Sequence, residues 1–193
     1  MTTLSIDTVG LCAHFSPQGD WAFEFALTLA RRREVQLNIF HFLADPFDPT
    51  DRTGRYLQPD DRARLIIERE RDLRFRYEDR LGDYLLAGFR LCEENEWKEL
   101  HQCLTKREFQ VLVMPWPDPD SSFGARPIAD FVDAFVCPVV TVGPDSPYDL
   151  VLNRPAAHIA SQLGLAPGGW TVVGGDSKLS GAGCSVASTP LMT

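Results

Sequence analysis

The chain alternates between short apolar runs and longer stretches in which apolar residues recur every three or four positions. The short runs predict five buried strands, at 9–15, 35–43, 88–92, 109–114 and 137–142. The periodic stretches predict four helices between them, at about 20–33, 59–86, 97–104 and 128–135. Strands that alternate with helices indicate a parallel sheet covered on both faces. Right-handed crossovers then favour an open, doubly wound, five-stranded parallel α/β sheet of Rossmann-like type.

The charged residues help to predict the start of the first helix and the buried face of the second. Asp20 is predicted to cap the first helix, because a carboxylate can accept hydrogen bonds from free backbone N–H groups. The second helix is strongly charged, and its apolar positions form one narrow stripe: Ile66, Leu73, Tyr77, Leu81 and Tyr84. Acids interleave its arginines, so a solvated face is favoured over an anion-binding face.

After Gly143 the pattern becomes less regular. A short helix at 156–160 and a brief strand at 170–173 are predicted, followed by a tail of small residues that is expected to lack order unless it docks. We therefore divide the chain into an α/β domain at 1–143 and a partly irregular C-terminal extension at 144–193.

Charge and composition narrow the class of partner. The 193 residues contain 19 Lys and Arg against 27 Asp and Glu, and the net charge of −8 disfavours nucleic acid and anionic membranes. No apolar run approaches the roughly 18 residues of a membrane span. The N-terminus lacks the positive region of an export signal. Five singly scattered cysteines are typical of reduced thiols, which predicts a cytoplasmic protein.

Neither the cysteines nor the histidines have the short spacing of a metal site. Cysteines inside predicted strands are expected to act as small core residues, and these are Cys12, Cys92 and Cys137. Cys184, in the tail, is the first candidate for a reactive thiol. The histidines lie on different elements, and the sequence positions are His14, His41, His101 and His158.

Three segments of residues 4–143 resemble the universal stress protein family. Ser16 to Arg33 is similar to the first loop and Ala-rich helix of that family, and 37–42 is similar to its second strand. Residues 111–114, a loop, a helix and 137–142 resemble the closing unit, in which Cys-Pro-Val is a frequent element. The resemblance implies an α/β fold, a role in stress response and association through the last strand.

The sequence departs from the family where ATP-binding members hold the nucleotide. Those members have a first-strand Asp near the adenine, and His14 stands in that place here. Their Gly-x-x-Gly loop is replaced by one that begins Pro115-Trp116-Pro117, and Arg126-Pro127 stands in place of the Gly-Ser pair. Proline has no N–H to donate to phosphate. The standard ATP site is therefore predicted to be missing.

Candidate ligand-binding residues lie where the predicted strands end, because doubly wound sheets bind ligands outside the carboxyl ends of their strands. At these ends lie His14, Phe15, Ser16, Phe42 and Trp116. In the loop after the fourth strand, the remaining candidates for holding an anion are Ser121, Ser122, Gly124 and Arg126. Phe15 and Trp116 are expected either to sandwich a planar group or to close a hydrophobic lid.

No Walker-type loop or nucleophile elbow occurs in the sequence, so catalysis and a cofactor are not predicted. We interpret the chain as a non-catalytic stress-response or regulatory ligand-sensing module that acts as a homodimer. The strand at Cys137–Val142 is predicted to be the free edge through which two copies pair. The segment after Gly143 is expected either to cross onto the partner or to cover that edge.

Two other functions stay open at this point. One is binding of an adenine nucleotide, ATP or AMP, through an altered phosphate loop. The other is a small-molecule enzyme that uses residues at the strand ends, above all His14 and Ser16.

Overall fold

A computed structural model describes residues 5–93 and 96–174. Its strands are β1 (Thr8–Cys12), β2 (Gln36–Phe42), β3 (Ala87–Cys92), β4 (Val111–Pro115), β5 (Ser122–Phe123), β6 (Arg126–Pro127), β7 (Val139–Val142), β8 (Leu150–Leu152) and β9 (Thr171–Val172). Its helices are α1 (Pro17–Arg33), α2 (Pro59–Leu81), α3 (Glu96–Thr105), α4 (Ile128–Asp133) and α5 (Arg154–His158). The predicted tail, which includes Cys184, lies outside the described residues. The first part of the C-terminal extension, up to residue 174, lies within them.

One twisted sheet organises the molecule, with the strand order β3-β2-β1-β4-β7-β8-β9. The first five strands of that order are parallel to one another, as the apolar runs predict. The α/β fold is thus confirmed. The number of strands is a correction, because β8 pairs antiparallel with β7, and β9 pairs parallel with β8. The sheet therefore continues beyond Gly143, while the domain division itself stays a prediction.

Two local boundaries differ from the sequence prediction. The N-cap of α1 is Ser16, whose Oγ accepts a hydrogen bond from the Gly19 N–H at 3.1 Å. Asp20 lies inside the first turn and instead accepts from Arg76 and Arg80 of α2, each at 2.8 Å. The second helix ends at Leu81, because Gly82 follows with a positive φ of 58° and breaks the helical backbone.

Each face of the sheet has its own core. On one face, α1 and α2 cover the strands, with the apolar side of α2 reduced to Leu73, Tyr77 and Leu81. On the other face, α3 and α4 cover a core rich in aromatic side chains, among them Phe40, Phe42, Phe109, Phe123 and Phe131. Alternate side chains of β4 enter the two cores, Val111 and Val113 on one face and Leu112 and Met114 on the other, which is why this strand is apolar without interruption.

The strand at 137–142 is not a free edge, and this prediction is wrong. β7 has β4 on one side and β8 on the other. The buried side chain of Asn153 fixes the covering segment: its amide accepts from the Val139 N–H at 3.0 Å and donates to the Cys137 carbonyl at 2.8 Å. The same oxygen caps α5 by accepting from the Ala156 N–H. Of the two expectations for the segment after Gly143, the structure shows that it covers the edge.

None of the helices in the described residues has both the length and the apolar character needed to cross a membrane.

Candidate functional site

Three loops meet beyond the carboxyl ends of the central strands, and we call the region where they meet the crevice. The loop after β1 carries His14 and Ser16, the loop after β2 carries Asp45 and Phe47, and the loop after β4 runs through 116–127. The last two loops touch, since the Gly124 N–H donates to the Pro46 carbonyl at 3.0 Å. The crevice thus lies where a doubly wound sheet is expected to carry its ligand site.

His14 joins two of these loops through its two ring nitrogens. Nδ1 lies 2.8 Å from the Ser16 Oγ, and Nε2 lies 3.2 Å from the Asp45 Oδ2. The side chain of His14 is 16% exposed and that of Asp45 is 40% exposed. We name this set, His14, Ser16 and Asp45, the histidine relay. His14 and Ser16 are among the site residues predicted from the sequence, whereas Asp45 is not.

The charge on Asp45 fixes the direction of these hydrogen bonds. Partial burial opposes ionisation, but hydrogen bonds from His14 and from the Phe47 N–H outweigh it and hold the Asp45 pKa below its usual value. Asp45 is then an acceptor at neutral pH, so Nε2 of His14 must be the donor. In the neutral imidazole, Nδ1 is consequently left as an acceptor that faces the Ser16 hydroxyl.

The backbone at His14 is fixed by a close contact with the start of α1 and by a hydrogen bond from α2. A Cβ at Gly19 would lie 1.8 Å from the His14 carbonyl oxygen, so only glycine lets α1 begin this near to the end of β1. The same carbonyl accepts from the Tyr77 hydroxyl at 3.3 Å. Burial raises the pKa of Tyr77 to about 12, so its hydroxyl remains a donor at physiological pH. These contacts fix His14 and Ser16 before any ligand arrives.

Phe15 does not sandwich a ligand together with Trp116. Its ring stacks on His41, with centroids 4.4 Å apart, and packs against the core on the α1 side. Trp116 belongs to the core on the opposite face. His41 is buried and bonds the Ala13 carbonyl through Nδ1 at 2.9 Å, and burial lowers its pKa.

The loop after β4 uses its backbone donors within the protein. The Asp120 and Ser121 N–H groups donate to Asp118, and the Ile128 N–H donates to the Ser121 carbonyl. β5 and β6 form a two-residue hairpin whose central residues, Gly124 and Ala125, both have positive φ. Amides held in this way do not converge on a phosphate.

Aromatic side chains fill the space beneath this hairpin. Phe123, between Ser122 and Gly124, is fully buried, and its ring centroid lies 5.2 Å from that of Phe47 and 4.3 Å from that of Phe131. Phe42 lies 5.9 Å away on the other side. Phe47 in turn meets His14 edge-on at 5.1 Å. A continuous aromatic layer therefore connects the loop after β4 with the relay.

Trp116 is 7% exposed, and its Nε1 has no hydrogen-bond partner among the described residues. Its backbone continues the β4 ladder by donating to the Val142 carbonyl at 2.8 Å. Trp116 directly follows β4, so its fluorescence is the natural probe for a ligand bound at the end of that strand. Of the other predicted anion-binding residues, Ser121 and Ser122 are half-buried and Arg126 is exposed on β6.

A small cavity of about 160 Å³ lies away from the crevice, beside β2 and β3, and its wall includes Asn38, Gly88, Arg90, Cys103 and Phe109. Elsewhere, burial raises the pKa of the Cys12 thiol, and it raises that of Cys137 to about 12. These two cysteines are therefore thiols rather than reactive thiolates at neutral pH.

Asp45 is the functional residue that sequence reasoning missed. It lies in a stretch with many aspartates, so its own side chain carried no distinguishing pattern. The available signal was its position just after the second strand, because parallel strands place their carboxyl ends at one edge. Pairing this aspartate with His14 required the strand order, which places β2 next to β1.

Comparison with known proteins bears on the fold. No protein-family model and no curated protein matches the chain. The universal stress protein UspA from Lactobacillus plantarum has a TM-score of 0.51 and 14% identity, covering 72% of this chain and 100% of that one. A universal stress protein from Archaeoglobus fulgidus DSM 4304 gives 0.45 and 16%, covering 70% and 43%. A protein of the same family from Burkholderia pseudomallei gives 0.46 and 18%, covering 70% and 95%.

The first of these likenesses spans the whole of the compared protein. It confirms, at the level of the fold, the resemblance drawn from the sequence: this chain has the α/β fold of the universal stress proteins.

Proposed function

We propose that the protein is a regulatory module of a stress response whose crevice does not accept a nucleoside triphosphate. The fold likeness to a universal stress protein supports the stress-response role. The loop after β4 supports the second claim, that the crevice does not accept a nucleoside triphosphate. The Asp120, Ser121 and Gly124 amides are bonded within the protein, and Phe123 occupies the space beneath the loop. Binding a triphosphate there requires breaking these bonds and displacing a fully buried aromatic ring.

Equilibrium dialysis of the full chain against Mg·ATP, and separately against AMP, tests this proposal. We expect no saturable binding of either nucleotide up to millimolar concentration, and no change in Trp116 fluorescence. The Trp116→Phe variant provides the background signal from the other tryptophans. Stoichiometric binding at micromolar concentration would overturn the proposal and favour the adenine-nucleotide alternative.

Homodimerisation is part of the same proposal, through a strand other than the one the sequence suggested. β3 pairs only with β2 in the described part of the chain, so its outer edge is open. Leu85 and Leu86 directly precede it and are 90% and 52% exposed. Open backbone groups next to exposed apolar side chains favour pairing with a second copy.

Sedimentation of the wild type and of two variants tests the β3 edge. We expect a wild-type dimer that Leu85→Glu converts to a monomer. Val136→Glu, at a side chain that is 96% exposed elsewhere on the surface, is the matched control and should leave the dimer intact. A monomeric wild type would show that the homodimer is wrong. A cytoplasmic location stays a prediction.

A further inference from the structure

The histidine relay contains the three groups that turn a serine hydroxyl into a nucleophile. A base must lie within hydrogen-bond reach of the hydroxyl, and a third group must orient the base. His14 lies 2.8 Å from the Ser16 Oγ, and Asp45 holds the opposite ring nitrogen at 3.2 Å. The ionised Asp45 selects the tautomer in which Nδ1 can take the proton of Ser16.

The hydrogen bonds around Ser16 are consistent with this direction of proton movement. Its Oγ already accepts from the Gly19 N–H at 3.1 Å, as the N-cap of α1. The hydroxyl hydrogen is therefore available for His14, which is the acceptor next to it. An N-cap alone would need only the Gly19 contact, so capping does not account for the placement of His14 and Asp45.

We propose that Ser16 is an activated nucleophile that accepts an acyl group from an activated ester. The Ser16 Oγ attacks the carbonyl carbon while its proton passes to Nδ1 of His14. The new C–O bond then persists, the bond to the leaving alkoxide breaks, and that oxygen takes the proton back from His14. Asp45 stabilises the imidazolium in between, and the positive end of the α1 dipole stabilises the oxyanion.

The aromatic ring beside the relay favours a small apolar acyl or aryl ester, because Phe47 borders His14 edge-on at 5.1 Å. Ser16 and His14 are half-buried rather than enclosed, so an ester can approach from solvent. This inference does not rest on the absence of a triphosphate site, since the relay belongs to the loop after β1. Failure of one proposal leaves the other standing.

Labelling of the full chain with an aryl fluorophosphonate and with p-nitrophenyl acetate tests the proposal. With the fluorophosphonate, the Ser16 oxygen forms a P–O bond, the P–F bond breaks, and the proton goes to His14. We expect intact mass to show one added group, and peptide mapping to place it on Ser16.

Three variants and one control separate this role from a purely structural one. Ser16→Asn keeps an N-capping side chain but has no hydroxyl, so it should fold and not label. His14→Gln should lower the labelling rate about 100-fold or more, as expected for loss of a general base. Asp45→Asn should lower the rate as well. Ser161→Ala, in the exposed turn after α5, should label like the wild type.

The proposal is overturned if the wild type does not label, or if the label falls on other serines. It is also overturned if His14→Gln, shown to be folded by circular dichroism, labels at the wild-type rate. Release of many equivalents of p-nitrophenol by the wild type, and not by Ser16→Asn, would support Ser16 as the nucleophile and would show that water completes the turnover.

Discussion

The loops after β1 and β4 border the same crevice but are stabilised by different interactions. The loop after β1 is polar and half-buried, and it places His14 and Ser16 in direct hydrogen bonding. The loop after β4 is closed by an inserted aromatic side chain and by hydrogen bonds among its own residues. The comparison teaches that a doubly wound sheet fixes where a site lies, while the loop contents decide what chemistry is left there.

The largest expected effect on stability comes from a substitution in the loop after β4. Phe123→Ala removes a fully buried ring that contacts Phe42, Phe47 and Phe131, and we expect a loss of about 3–5 kcal/mol in the free energy of unfolding. Denaturant unfolding measures it. The control is Phe75→Ala on α2, whose side chain is 86% exposed and which should change stability by less than about 0.5 kcal/mol. Equal losses in both variants would show that the loop is not held by Phe123.

The second effect concerns the close approach of α1 to β1. Gly19→Ala brings a methyl group onto the His14 carbonyl, so the start of α1 must move. Alanine is the better helix former by about 1 kcal/mol, but we expect overpacking to outweigh this and give a net loss of about 1–3 kcal/mol. Gly88→Ala is the matched control, because its nearest neighbour, the Asn38 side chain, is at an ordinary 3.6 Å. A stable Gly19→Ala protein with unchanged Ser16 labelling would contradict this account.

A smaller effect separates the capping role of Ser16 from its proposed chemistry. Ser16→Ala should cost about 1 kcal/mol of stability through the lost N-cap, whereas Ser16→Asn should cost only a few tenths. Thermal unfolding measures both. If the two variants are equally stable, the cap contributes little and Ser16 is held by His14 alone.

The smallest effect is the pH dependence of the Asp45 contact. The folded pKa of Asp45 lies below its unfolded value, so its contribution to stability is present above about pH 4 and is lost as the pH falls through the folded pKa. Because the side chain is 40% exposed, we expect Asp45→Asn to cost less than about 1 kcal/mol at pH 7. The cost should shrink towards pH 3 in urea unfolding. Asp133→Asn, on the exposed surface of α4, is the control; a cost independent of pH would contradict the prediction.

The sequence predicted the elements with strong local patterns. Buried runs such as 111–114 identify parallel strands, because both of their faces are covered and nothing polar interrupts them. That the loop after β4, which starts Pro115-Trp116-Pro117, lacks the standard ATP site stays a prediction. β8 was missed because its three residues, Leu150–Leu152, are too few to show a period.

The candidate site was predictable only in part, for a related reason. His14 and Ser16 are two residues apart, so their association is visible in the sequence. Asp45 and Phe47 come from the next loop, and only the neighbouring positions of β1 and β2 in the sheet bring them to His14. The burial of Phe123 depends likewise on the β5–β6 hairpin of its loop. No local sequence pattern predicted this hairpin.

The side chain of Asn153 has a consequence for where the folded unit ends. Its amide also donates to the carbonyls of Val132 and Phe135, so a single buried group binds the end of α4, the start of β7 and the first turn of α5. A shortened chain that stops before this residue would remove the Asn153 acceptor of the buried Val139 N–H and would open the side of β7. Limited proteolysis should therefore find the stretch around 150–160 as resistant as the central strands.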